Sequence, residues 1–175
     1  MNETHRAGAA PERPPRSRSV TLELCDSVEA LTKARATLAP GLRYAAELRE
    51  LWDPRRPDSE RFVHRAILAV ALAKLEGGRV IGFGELLAAR PSLDEPSRGR
   101  AFCRISRLDV APAYRRRAFI DRSSKLPISE LLLRGLLGGA PYGAEVMAEV
   151  TPDAENLFEK AGFKLLDSGR WRYTL

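Results

Sequence analysis

Histidine and cysteine are scarce in this chain of 175 residues, two of each, and their placement excludes more than it offers. No Cys/His cluster has metal-ligand spacing, so no metal site is expected. Cys25 and Cys103 each sit in a strand-like run and read as reduced core residues, with a disulfide or a reactive thiol as the lesser alternatives. Long hydrophobic runs are missing as well. The longest, residues 66–73, falls far short of the roughly 20 residues that cross a bilayer, and the N-terminus lacks the apolar block of a secretory signal. No membrane contact is therefore expected, and the cytoplasm is the expected location. Aromatic residues make up 7% of the chain, and neither the aromatic-plus-glycine signature of RNA-binding sheets nor helix-turn-helix spacing occurs. Nucleic acid is not an expected partner.

What is present is arginine and a patterned apolar core. The formal charge is +6, and guanidinium groups bind phosphate in a planar, bidentate way, which suits a phosphorylated or acidic partner. Residues 1–19 are rich in Pro, Arg, Ala and small polar side chains and cannot bury enough apolar area to offset ordering, so they read as a flexible basic tail. Residues 20–175 read as one domain with its own core.

Along that domain, Val20, Leu22 and Leu24 alternate with polar residues as a first strand. Asp26 or Ser27 then caps a helix carrying Val28, Leu31, Ala34 and Leu38, closed by Pro40-Gly41. A second helix starts near Arg43 and ends before Pro54; residues 53–62 form an exposed, proline-punctuated linker, and His64 sits at a strand edge. Two apolar strands follow, joined by Gly77-Gly78, the second containing Gly82 and Gly84, which read as a bulge or a close packing contact. A loop over residues 91–100 leads to a central strand over 101–111, and a polar loop over 121–127 precedes an apolar helix from Ile128. Residues 144–150 alternate as a strand, Thr151-Pro152-Asp153 opens a helix that Gly162 ends, and two more strands hold Phe163, Leu165 and Leu166, then Trp171 and Tyr173. The order is that of an α/β (α+β) fold with one mixed sheet flanked by helices.

The stretch from Phe102 to Leu137 organises the rest. A strand broken at Pro112 crosses an arginine cluster, Arg115, Arg116 and Arg117, and re-enters order as a helix whose first turn holds Ser129. Free backbone N–H groups and fixed positive charge converge there, as in an anion-binding strand-loop-helix unit.

The order of elements resembles the GNAT acyltransferase superfamily, and two segments sharpen the likeness: Leu108-Asp109-Val110-Ala111-Pro112 followed by Tyr114-Arg115-Arg116-Arg117, and residues 151–163 ending Phe158-Glu159-Lys160-Ala161-Gly162-Phe163. The resemblance implies a mostly antiparallel sheet of about seven strands, with a bulge near Leu108–Val110 splaying two parallel neighbours. A pantetheine arm would lie in that gap, with the Val110 amide on the thioester carbonyl, and Leu108, Arg115, Arg116, Arg117, Ala118, Ser129, Thr151 and Phe158 are the other residues expected to bind the cofactor. Two departures stand out. Ala118 and Ile120 occupy places where the pyrophosphate loop ordinarily has glycine, and Phe158 replaces a tyrosine that many members use as general acid. Ile105-Ser106-Arg107-Leu108 with the arginine run and a long loop without glycine is similar to the acyl-homoserine-lactone and N-acyl amino acid synthases, several of which take acyl groups from acidic acyl carrier protein.

The expected chemistry is transfer of an acyl group from a CoA thioester (acetyl or longer) or a carrier-bound phosphopantetheine thioester to a small primary amine by direct attack, without metal. Glu85, then Glu149, are the candidate bases, Ser106 a candidate participant, and Arg107 a candidate clamp for a substrate carboxylate. The alternative is a catalytically inactive protein of the same fold that binds acyl thioesters or acts as a scaffold. Pairing of two copies through exposed sheet edges is compatible with either.

Overall fold

A computed structural model describes residues 17–53, 55, 61–90, 100–115 and 119–175. A short strand, β1 (Ser17–Arg18), precedes β2 (Val20–Cys25), followed by α1 (Val28–Lys33), α2 (Ala45–Trp52) and α3 (Arg61–His64). Next come β3 (Ile67–Leu75), β4 (Val80–Ala89), β5 (Phe102–Val110), a 3-10 turn at Pro112–Tyr114 and β6 (Ile120–Asp121). The chain finishes with α4 (Ile128–Gly138), β7 (Glu145–Ala148), α5 (Glu155–Lys160), β8 (Lys164–Leu165) and β9 (Trp171–Thr174). Seven strands form one sheet in the order β2-β3-β4-β5-β7-β9-β8, while β1 and β6 pair separately. All neighbours in the large sheet are antiparallel except β5 and β7, which run parallel because α4 crosses over between them. The mixed, mostly antiparallel seven-stranded sheet expected from the sequence is the one that forms.

Helix α4 supplies one layer. Its apolar stripe, Ile128, Leu132, Leu133, Leu136 and Leu137, is buried, each side chain contributing roughly 1.5–3 kcal/mol of transfer free energy. The stripe can seat closely because β4 presents Gly82 and Gly84 beneath it: a Cβ on Gly82 would stand 2.9 Å from Leu132, and one on Gly84 2.6 Å from Leu136. The paired glycines are therefore a packing device. The opposite sheet face is covered by α1 and α2, where Tyr44 meets Phe83 edge-on at 6.2 Å.

Several elements differ from the sequence reading. The expected tail ends early, since Ser17–Arg18 pairs in parallel with Ile120–Asp121; residues 1–16 lie outside the described residues. Helix α1 is capped by Ser27, whose Oγ accepts from the Ala30 N–H, but it stops at Lys33 instead of running to Pro40-Gly41. Its expected last turn is recruited by the sheet: Ala39 N donates to the Val80 carbonyl and Val80 N to the Thr37 carbonyl, both at 2.8 Å. Phe62 is buried, and His64 lies in α3, not at a strand edge; most of the expected 53–62 linker, like residues 91–99, lies outside the described residues. Residues 152–154 make turns, so α5 starts at Glu155. β7 ends at Ala148, and β8 excludes Phe163 and Leu166.

The polar loop that begins at Asp121 also proves to be anchored. Asp121 is 1% exposed. Its Oδ1 accepts from Val20 N at 2.9 Å, and its Oδ2 from Ser124 N at 2.7 Å and from the Ser123 hydroxyl. Burial pushes this carboxyl up, but the hydrogen bonds from Ser123, Ser124 and Val20 together outweigh it and hold the group well below the usual carboxylate range. A carboxyl lowered in the folded state stabilises fully above its unfolded value, about 3.9, and that contribution fades as pH falls through and below it. Asp121→Asn is expected to cost about 2 kcal/mol at pH 7 and to flatten the loss of stability between pH 5 and pH 2. Urea midpoints measured across that range check both the offset and the slope.

Candidate active site

The site begins where two strands part. β5 pairs with β7 only from Phe102↔Glu145 to Ile105↔Ala148, whereas its other edge follows β4 from Ala89↔Phe102 to Gly82↔Val110. One residue of β5, Ser106, is extra, because Ile105 pairs with Leu86 and Arg107 with Glu85. The bulge thus lies at Ser106, not over Leu108–Val110 as the resemblance implied. An extra residue adds local twist and re-aims side chains, and it does so at the step where β7 ends.

Beyond the bulge the backbone groups of β5 divide regularly. The Arg107 and Asp109 carbonyls face β4, 3.3 and 2.9 Å from where Gly84 and Gly82 would carry a Cβ, and Ala111 N donates to the Ile81 carbonyl at 2.8 Å. Alternation then turns the N–H and C=O groups of Leu108 and Val110 toward the parted edge. On that edge the Val110 carbonyl accepts from Arg115 Nε at 2.5 Å. The amides of Leu108 and Val110, with no β7 partner opposite, face a cleft of about 420 Å³ whose far wall includes Thr151, Ala154 and Phe158.

Charge is arranged around the mouth of this cleft. Asp109, 7% exposed, accepts from Arg115 Nη2 at 3.1 Å and from Arg43 N at 2.5 Å. Half-exposed Arg115 is thereby fixed by its inner N–H groups while its outer edge faces solvent. Across the mouth, hydrogen bonding from Thr151 holds the Asp153 carboxyl below its ordinary value, and the Arg115 charge adds to the effect. Ser129, in the first turn of α4, lines the same cleft. Arg116, Arg117 and Ala118 lie outside the described residues.

A second cavity, of about 490 Å³, opens on the α2 face and shares Tyr44, Ser106, Arg107 and Glu149 with the cleft. Because the bulge turns both Ser106 and Arg107 toward Glu85, its buried Oε1 accepts from the Ser106 hydroxyl and from Arg107 Nη1, each at 2.5 Å. Arg107 Nε also lies 3.2 Å from Glu47 Oε2, and its guanidinium sits 5.3 Å from the Tyr44 ring centre. The arginine expected to clamp a substrate is thus already held by two carboxylates and a ring. Glu149 is exposed just past the end of β7, at the junction of the two cavities. Both cysteines are free and buried, and burial together with Glu23 pushes the Cys25 thiol up to about 11. Burial likewise raises the Cys103 thiol, so neither is a ready thiolate nucleophile.

Three contributors were missed by the sequence reading. Asp109 has a signal in retrospect, an acidic residue inside an otherwise apolar strand end. Tyr44 and Glu47 have none, because they enter only when Gly41, at φ 80°, packs its α-carbon against Pro112 so closely that a Cβ would stand 2.9 Å from the proline ring. That contact, with the Arg43–Asp109 hydrogen bond, seats the start of α2 beside β5.

The described residues fit an acyl-pantetheine donor. Among the described residues the Leu108 and Val110 amides have no partner and would be placed to meet a carbonyl and an amide of such an arm, and Arg115 a phosphate. The first N–H groups of α4 lack intrahelical acceptors, and Pro127 before them makes no side-chain cap.

No family model matches the chain, and no curated protein matches it. Among solved structures it is similar to a candidate acetyltransferase from Deinococcus radiodurans R1, at 20% identity over 83% of this chain and 84% of that one, with a TM-score of 0.51. A candidate acetyltransferase from Exiguobacterium sp. 255-15 aligns at 19% identity over 90% and 93% of the two chains, TM-score 0.50. A mutant of KacT with tyrosine replaced by phenylalanine aligns at 13% identity over 90% and 95%, TM-score 0.51. At these identities the likeness is one of architecture, and the architecture of this chain is the GNAT acetyltransferase fold.

Proposed function

We propose that this protein is an N-acyltransferase that moves an acyl group from a CoA or carrier-protein thioester to a primary amine by direct attack. The observation that carries this reading is the parted β5–β7 edge, which leaves the Leu108 and Val110 amides facing a cleft with Arg115 at its mouth. A fixed N–H aimed at a carbonyl oxygen that gains negative charge is worth a few kcal/mol in a water-poor cleft. The amine nitrogen bonds to the acyl carbon as the C–S bond breaks, and holding the two reactants together supplies much of the rate.

The proton assignments follow from which groups are still unoccupied. Glu85 already takes two hydrogen bonds on Oε1, so it acts as the anchor that positions Ser106 and Arg107. Glu149, at the junction of both cavities, takes the ammonium proton, directly or through water. Phe158 has no proton to give, and Tyr44 is the phenol lining the cleft, so it protonates the leaving thiolate. Glu149→Gln and Tyr44→Phe are each expected to lower kcat/KM roughly 100-fold with acetyl-CoA affinity unchanged. Thiol release from acetyl-CoA, longer acyl-CoA and acyl-carrier donors, measured with calorimetric donor binding, tests the reading.

The buried Phe158 favours a second reading, a thioester-binding protein without turnover. It requires tight donor binding and no thiol release with any amine.

A further inference from the structure

We infer that the cavity on the α2 face takes the acceptor, and that this acceptor is a small amine carrying an anionic group, phosphate or carboxylate, held by Arg65 and Arg104. The role of the amine rests on the acyl-transfer reading; the anion site does not.

The cavity lining holds three arginines against two glutamates, Glu85 and Glu149, and what matters is which of these charges are already paired. Arg107 is neutralised by Glu85 and Glu47. Arg65 and Arg104, both exposed at the rim, have no ion-pair partner among the described residues, and Glu149 is the one other carboxylate lining the space. Register brings the two arginines together. Leu87 pairs with Arg104 on one side and with Ile67 on the other, and Arg65 stands two residues before Ile67.

The backbone that presents Arg65 is strained. Ala66 has φ 51°, a left-handed conformation that is unfavourable for a residue with a Cβ and that persists only where neighbours enforce it. They do so here: Ala66 N donates to the Val63 carbonyl at 3.0 Å, and the Ala66 carbonyl accepts from Ala88 N at 2.7 Å. The turn from α3 into β3 is thus held in the shape that sets Arg65 at the rim. An anion gripped there leaves the rest of a short amine to reach Ser106 and Glu149, where the two cavities meet.

The test is calorimetric binding of O-phosphoethanolamine, β-alanine, ethanolamine and propylamine to the full chain, with acetyl-CoA affinity measured separately. At least one anionic probe is expected to bind at least tenfold tighter than its uncharged counterpart, phosphoethanolamine against ethanolamine or β-alanine against propylamine. The pair that discriminates identifies the anion. The double variant Arg65→Gln/Arg104→Gln is expected to erase that preference, and Arg134→Gln, on the exposed side of α4, to keep it. Equal binding of charged and uncharged probes, or an unchanged preference in the double variant, overturns the inference. So does a single-stranded RNA oligonucleotide that binds more tightly than every small probe and is released by the same double variant. Loss of acetyl-CoA binding with the anion preference intact removes the acyl-transfer reading and leaves the anion site standing.

Discussion

Replacing Thr151 with tryptophan is expected to weaken acetyl-CoA binding at least 100-fold in a protein that still folds. Thr151 is exposed and lines the cleft just beyond the end of β7, so an indole there needs no rearrangement of the core and instead fills space that a pantetheine arm requires. Sterically excluding a donor would remove the contacts proposed for Leu108, Val110 and Arg115 together, which is why the expected effect exceeds that of any single hydrogen bond, about 0.5–1.5 kcal/mol. Calorimetry on the variant, with a thermal melt to establish folding, reads the outcome, and Thr151→Ser should bind like the unmodified chain. Unaltered donor affinity in a folded Thr151→Trp protein would place the donor elsewhere.

Gly82→Val is expected to destabilise the protein by about 3 kcal/mol, the upper part of the range for overpacking, and to lower Tm by roughly 10 °C for a chain of this size. A Cβ at Gly82 would stand 2.9 Å from the Asp109 carbonyl oxygen and 2.9 Å from Leu132 Cδ1. The leucine can rotate, but the carbonyl cannot yield cheaply, since the Asp109 side chain is tied to Arg43 and Arg115. Whatever shift occurs passes into β5 beside Val110, so the surviving folded protein should also bind acetyl-CoA less tightly. Gly138→Ala supplies the contrast: nothing lies within 4 Å of a Cβ there, and alanine is the better helix former. A melt of Gly138→Ala at or above the starting Tm, beside a strongly lowered one for Gly82→Val, separates packing from composition.

Much of the architecture was legible because periodicity reports burial. Residues 66–75 and 80–89 read as neighbouring strands from their apolar content and the Gly77-Gly78 turn, and from Ile67 onward they pair as expected. The α4 stripe appeared as leucines at helical spacing. Short elements escaped because their cause is not local. The α3 turn holds only four residues, and β1 is defined by its pairing with β6, a hundred residues away. Residues 35–38 continue a helical pattern in the sequence, yet the ladder of β4 claims residues 37–39, a tertiary contact overriding propensity.

The site divides along the same line. Residues near one another in sequence, such as Leu108, Val110 and Arg115, could be grouped in advance, since strand alternation and the break at Pro112 determine how they stand to each other. By itself the sequence determined the order of the longer elements, the apolar faces and the concentration of arginine after the central strand, because each is written in local spacing. Only the tertiary structure decided that the bulge falls at Ser106, that Glu85 and Glu47 pair with Arg107, that Tyr44 joins the cleft, and that Arg65 and Arg104 line one cavity. Those pairings depend on register between strands and on where α2 is seated, and both are set by packing summed over the whole core, which no window of sequence contains.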